Sequence, residues 1–367
     1  MTSAWATVPL LVVGALTVVL TVLSAVTTVV VPRAAPAILT RVVFISLREL
    51  FMLRGRRART YERRDQAMAL YAPVSLLTLA VTWLILELVG YMLMYWSLGE
   101  RPWRLAFALS GSSLLTLGFT APHDLPMTAL SFTEAGLGLA LLALLISYLP
   151  SIYTAFSRRE AAVASLDTRA GLPPSAAEML ERLSIIRGLD QMDDFWRAWQ
   201  DWFVDIEETH TTNPSLVFYR SPVPRRSWIT AAGTVLDAAS ILSSTVEGPR
   251  RSEAELCIRS GYLSLRRIAA YFGIPYDPDP RPDDPISITR QEYEQVRDRL
   301  LAVGVPLKPD VDQAWKDFVG WRVNYDTVLL ALAGLAMAPY ASWSSDRSPA
   351  YRRPPITRRA VRDRSAP

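Results

Sequence analysis

Cysteine, histidine and lysine are nearly missing from this chain of 367 residues, which has one Cys and two His. Its Lys residues are Lys308 and Lys316 alone. A lone Cys257 excludes an intrachain disulfide, and together with His123 and His210 it leaves too few ligands for a tetrahedral Cys/His zinc site. A soluble part in a reducing cytoplasm fits. Arginine carries nearly all the positive charge, a ratio that points to a high-GC, bacterial genome. Charge is also missing from one place, since Met1 to Pro32 holds no charged residue. With 50% hydrophobic and 20% charged residues, disordered, collagen-like and disulfide-framework chains are excluded, and a membrane part joined to a soluble part is expected.

The apolar residues gather in front. A bilayer core of about 30 Å needs roughly 20 helical residues, and Val8 to Val31 supplies them without a charge. A cleaved signal peptide is disfavoured, because no basic residue precedes the run and Arg33 and Arg41 follow it. Ala69 to Leu98 is a second span interrupted only by Glu87, and Ala135 to Phe156 a third. Between Pro32 and Gln66 lie Arg33, Arg41, Arg48, Arg54, Arg56, Arg57, Arg59, Arg63 and Arg64 against Glu49, Glu62 and Asp65, so this segment is expected inside the cell. Gly99 to Thr133 holds only Arg101 and Arg104 and is expected outside. Arg158, Arg159 and Arg169 place the rest inside, which leaves the N-terminus out. Within the basic segment Val43, Leu47, Leu50 and Phe51 recur at helical spacing; they suit an inner-surface helix or a continuation of the first span.

Leu105 to Pro122 is apolar but too short to cross, and it is rich in Ser, Gly and Thr. Such a segment between two spans fits a re-entrant loop, because irregular backbone survives in a bilayer only when buried or lining a water-filled cavity. A half-helix over Trp103 to Leu114 is expected, with an extended return from Thr116. Its C-terminal dipole end favours a cation.

Span, Ser/Thr-rich half-helix, Thr116-Leu117-Gly118-Phe119-Thr120, span resembles the pore module of the potassium channel superfamily, whose filter reads Thr-Val-Gly-Tyr-Gly. The match covers about Tyr71 to Phe156. The resemblance implies that Thr116 offers a hydroxyl and a carbonyl to the innermost ion site, that Leu117 and Gly118 offer carbonyls to the middle, that Phe119 packs outward as a cuff, and that four subunits surround the pore. Thr120 replaces a Gly whose backbone conformation is costly for a β-branched residue, and Ala121 replaces the usual acid. Relaxed potassium selectivity is the expected consequence.

In the third span Gly136 and Gly138 allow close packing, and Pro150 removes a backbone bond near the inner end, so Gly138 and Pro150 are gating candidates. Both residue types are also common in membrane helices for packing alone. Glu87 lies about 27 Å along a helix starting inside at Ala69, and must be paired or protonated there. It is expected to bond the half-helix or to attract ions at the mouth.

From Ser157 the composition is that of a helical soluble domain. Ser175-Ala-Ala-Glu178 and Thr289-Arg-Gln-Glu292 read as capping boxes. Phe195, Trp199, Trp202 and Ile206 form one helix face, read as core rather than as a base-stacking platform; Asp190, Asp194, Asp201, Asp205 and Glu208 read as a solvated face. The apolar run from Tyr325 to Tyr340 is short, carries Asp326, and reads as a core helix. His210 near Glu207 and Glu208 suits acid/base work or a helix end. The predicted plan is an all-α membrane protein: an N-terminal span in 1–32, a basic segment in 33–68, a pore module in 69–156 with its loop in 103–122, a helical cytoplasmic domain in 157–343, and a disordered basic tail in 344–367. The expected protein is a multi-pass plasma-membrane homotetramer in contact with lipid. It passes a monovalent cation, potassium first, without cofactor, metal, nucleic acid or enzymatic activity. The competing reading is a non-conducting scaffold or sensor whose helical domain binds a partner.

Overall fold

The computed structural model describes residues 4–31, 38–55 and 61–349. The chain is all-α, and apart from one isolated bridge between Val246 and Leu307 no strand pairing occurs among the described residues. In chain order come α1 (Ala4–Val29), α2 (Ile38–Gly55), α3 (Tyr61–Ala69), α4 (Tyr71–Leu98), α5 (Trp103–Leu114) and α6 (Leu125–Ala170). Then follow α7 (Ala176–Ile185), α8 (Asp193–Thr212), α9 (Trp228–Ser244), α10 (Ser252–Tyr271), α11 (Arg290–Ala302), α12 (Val311–Arg322) and α13 (Asp326–Ala336). They form two compact units, Met1–Arg57 with Leu70–Thr154, and Ala58–Ala69 with Ala155–Pro367.

In the first unit, α1, α4 and the first part of α6 belong to the three helices long and apolar enough to cross a membrane. One stripe of α1, Val8, Val12, Leu16, Val19 and Leu23, is exposed, and the opposite stripe of Val18, Thr21 and Ala25 is buried. That asymmetry is what a helix facing lipid on one side and protein on the other requires. The hydroxyls of Thr17, Thr21, Thr27 and Thr28 donate to carbonyls one turn back, so they need no water. α1 meets α4 where two glycines face each other: a Cβ on Gly14 would lie 2.5 Å from the Gly90 carbonyl oxygen, and one on Gly90 would lie 2.7 Å from Val18 Cγ2. Close backbone approach is how apolar helices gain packing energy in lipid. Two to three turns away along the same helix pair, Trp83 Nε1 donates to Ser24 Oγ at 3.2 Å. α2 packs on the start of α4, where Phe44 and Phe51 meet Tyr71 edge-on. The expected basic segment is thus divided, α2 lying in the first unit and α3 in the second. Arg33, Arg56, Arg57 and Arg59 lie outside the described residues.

α6 is longer at both ends than the apolar run Ala135 to Phe156, and it continues as helix through Pro150.

The second unit is built around α9, nearly all of whose residues are buried; α7, α10, α12 and α13 pack on it, and α8 packs on α10. Trp199, Trp202 and Ile206 of the expected α8 stripe are buried and Phe195 is half-buried, joined by Trp196 and Phe203. Thr289 and Glu292 close a reciprocal capping box at α11. At α7 Ser175 accepts from the Glu178 N–H, while the Glu178 carboxylate turns to Arg182. Arg322, fully buried, gathers this unit: it donates to Asp237 of α9, to Asp326 Oδ1 at 2.7 Å, and to the Trp343 carbonyl at 2.6 Å. α13, the short apolar helix, sits in this core. Ordered chain continues beyond the boundary expected for the tail, since Ser344 is buried and Arg347 Nη2 pairs with Glu292 Oε1 at 2.6 Å. Residues 350–367 lie outside the described residues.

Candidate functional site

The site is the 12-residue helix α5 with the loop that follows it, held between α4 and α6. Gly99, with φ +114°, ends α4 in a conformation that suits glycine. The turn is then locked by the Trp96 and Trp103 rings, stacked with centroids 4.7 Å apart, and by the Arg101 guanidinium 4.4 Å over Trp96. α5 buries Ala106, Leu109, Ser110, Ser112, Ser113 and Leu114. Three of these are serines, and each finds a bond. Ser110 Oγ lies 3.0 Å from the Leu88 carbonyl and 2.5 Å from Glu134 Oε1; Ser113 Oγ lies 2.7 Å from Ser131 Oγ; and Ser112 Oγ accepts from the Thr120 N–H at 3.2 Å. α6 approaches so closely that a Cβ on Gly138 would lie 2.7 Å from the Leu114 carbonyl oxygen, whereas one on Gly136 would meet nothing.

α5 ends in a Schellman motif. The Leu117 N–H reaches the Ser112 carbonyl at 2.8 Å and the Thr116 N–H reaches the Ser113 carbonyl at 3.0 Å, around a left-handed Thr116 with φ +54°. The return is therefore a tight cap where the sequence reading expected an extended start. That position normally takes glycine, and a β-branched residue there costs about 1–2 kcal/mol. Gly118 is left-handed too, at φ +71°. Thr120 is not left-handed, so the backbone conformation that the resemblance implies for it is not adopted. Its N–H goes instead to Ser112. Thr116, Leu117, Gly118 and Phe119 are exposed, with Leu117 at 60% and Phe119 at 66%.

Glu87 does not bond the half-helix: it is fully buried, and neither of its carboxyl oxygens has a hydrogen-bond partner among the described residues. The carboxyl that holds α5 is Glu134, also fully buried, which meets Ser110 and accepts from the Tyr95 hydroxyl at 2.9 Å. Sequence reading missed it because Glu134 sits just before the apolar run that begins at Ala135, where a loop residue was expected. No local pattern pointed to it: Tyr91 and Tyr95, one turn apart on α4, meet consecutive residues of α6 only in the fold, the Tyr91 hydroxyl donating to Thr133 Oγ1 at 3.0 Å and the Tyr95 hydroxyl to Glu134. Pro150 is exposed on α6, and Gly138 acts where α5 and α6 touch.

In the second unit His210 is 1% exposed. Arg159 Nη1 donates to its Nε2 at 3.1 Å and to the Leu216 carbonyl at 2.8 Å, while Arg159 Nη2 donates to the Tyr219 carbonyl at 2.9 Å. Burial and the neighbouring Arg159 charge hold the imidazole well below its usual pKa, so it is neutral. It has no face open to a substrate.

No family model, no curated protein and no solved structure matches the chain.

Proposed function

We propose that the chain is a cation channel of the potassium type, in which α5 and residues 116–120 form a re-entrant pore loop between α4 and α6, and in which four copies surround one path. The observation that carries this reading is the backbone at the end of α5. Thr116 and Gly118 are left-handed and the residue between them is not; in this reading that alternation serves to bring successive carbonyl groups to one side, as replacing the water around a monovalent cation requires. The negative end of the α5 dipole lies at Leu114, where this loop begins, and favours a cation there. The side chains of Leu117 and Phe119, exposed on a single chain, are available to pack on lipid or on neighbouring copies. In this reading potassium is the first candidate ion, the N-terminus is outside, and the second unit is a cytoplasmic regulatory or assembly domain in the cell membrane.

Thr120 favours a second reading, a non-conducting scaffold or sensor. Its N–H is tied to Ser112, so the outermost carbonyl ring differs from the usual filter. Reconstitution of the full chain in liposomes, with potassium and sodium flux measured in parallel, separates the two. Potassium flux lost in Gly118→Val is the expected result. No flux of either ion beside a conducting control overturns the channel reading and leaves the scaffold.

A further inference from the structure

Three carboxyl groups are buried in the first unit, Glu87, Glu100 and Glu134; Glu100 lies 3.7 Å from His123 Nε2, and the other two have no cationic partner among the described residues. The first argument is a count of protons. Ser110 Oγ sits within bonding distance of the Leu88 carbonyl and of Glu134 Oε1, but a hydroxyl has one proton to give. If Ser110 donates to Leu88, the Glu134 contact needs its own proton, which the carboxylic acid supplies by donating to Ser110 Oγ. Glu134 Oε2 still accepts from Tyr95, and every polar atom of the cluster is satisfied. With Glu134 ionised, one of the two Ser110 contacts has no proton.

The second argument is burial. Glu87 precedes the carbonyl that Ser110 reaches, is 0% exposed, and among the described residues makes no hydrogen bond through either oxygen. An ionised carboxylate there is desolvated without compensation, at a cost of several kcal/mol, and the acid form removes most of it. The surroundings offer no countercharge. On α4 itself the titratable neighbours are Tyr91 and Tyr95, and α6 brings Glu134. α5 brings Ser110, with Arg104 exposed on its first turn. The described side chains of α1 include hydroxyls such as Thr17, Thr21 and Ser24 but no charge. α2 carries Arg41, Arg48, Glu49 and Arg54, and its Phe44 meets Tyr71, about 24 Å along α4 from Glu87.

We propose that Glu87 and Glu134 form a proton-binding site in which each carboxyl carries a proton, and that loss of these protons loosens α5 from α4 and α6. The link to α5 is direct. An ionised Glu134 no longer donates to Ser110, and an ionised Glu87 adds a second uncompensated charge to the interior of the same unit. The ligand is the proton, and the site stands whether or not the chain conducts.

Infrared spectroscopy of the full-length chain in lipid bilayers tests this, together with amide hydrogen exchange over α5. At neutral pH the wild type is expected to show buried carboxylic-acid C=O absorption. Glu87→Gln and Glu134→Gln, isosteric with the acid form, should each lose one such band. At alkaline pH the wild-type bands should vanish, and exchange over residues 103–114, corrected for its intrinsic pH dependence, should rise about tenfold. The double Gln variant should keep its protection. Absence of acid C=O absorption in the wild type at neutral pH overturns the proposal without reference to any variant. So do Gln variants with unchanged bands, and so does equal α5 exchange in wild type and double variant at alkaline pH. A carboxylate band that shifts when sodium or potassium is replaced by choline also overturns it, and identifies a metal cation as the ligand.

Discussion

Replacing His210 by Gln should remove a defined part of the acid sensitivity of the second unit. The protonation of His210 follows from its bonds. Thr209 gives its hydroxyl proton to the Asp205 carbonyl at 2.7 Å, so its Oγ1 can accept from His210 Nδ1–H at 3.1 Å, while Nε2 accepts from Arg159. The added proton of an imidazolium would sit on Nε2, where it faces the Arg159 donor instead of an acceptor, and the ring would stand as a second cation beside the guanidinium. The folded state therefore resists protonation, whereas the unfolded imidazole takes a proton at the ordinary pKa of 6.5. Because the folded pKa is depressed, the stabilisation is complete above pH 6.5 and is lost as pH falls. Integrating the linkage from pH 7 to pH 5 with no folded-state uptake gives a loss of about 2 kcal/mol, near 1.4 kcal/mol per unit once well below pH 6.5. Gln keeps an acceptor for Arg159 and a donor for Thr209 but does not titrate. Urea unfolding of the full chain in detergent reads the difference through tryptophan fluorescence, since Trp228 lies 4.8 Å from the imidazole between ring centroids. Carboxylates that titrate in the same range are common to both proteins and cancel in the comparison. The wild type should lose about 2 kcal/mol more than His210→Gln over this interval. Equal losses would refute the neutral, proton-excluding imidazole.

Arg322→Ala should destabilise the second unit by about 3–5 kcal/mol, because Asp237 and Asp326 are left buried without their cation. The added change Asp237→Asn should recover part of that loss in the same urea titration. Thr116→Gly should stabilise the first unit by about 1 kcal/mol by relieving the left-handed cap of α5, read as a higher unfolding midpoint in detergent. In the channel reading it should also lower potassium flux by removing a hydroxyl at the innermost site, so stability and flux move in opposite directions.

Period and composition located most of the helices. The charge-free run before Arg33, the interruption by Glu87 and the short Ser-rich stretch all describe local properties, and α1, α4 and α5 lie where those properties put them. α5 begins at Trp103 and ends at Leu114, as its length and the following Thr and Gly suggest. The tryptophan stripe of α8 was legible for the same reason: residues at helical spacing share a face whatever that face touches. The division of the basic segment between two units was not legible, because it depends on which distant surfaces α2 and α3 pack against.

The partners across helices were also beyond reach of local pattern. Glu87 stood out because it interrupts an apolar run, and Glu134 did not because it borders one, yet Glu134 is the carboxyl that meets α5 while Glu87 has no side-chain hydrogen bond among the described residues. Likewise His210, read as a helix end or as suited to acid/base work, does lie in the last turn of α8, but its partner Arg159, 51 residues away in sequence, was not legible. The order of residues sets each helix, its apolar face and its ends through interactions spanning a few positions. Which polar groups meet inside is a property of how those helices pack, because a buried carboxyl or imidazole takes its protonation from neighbours brought together only when the chain folds.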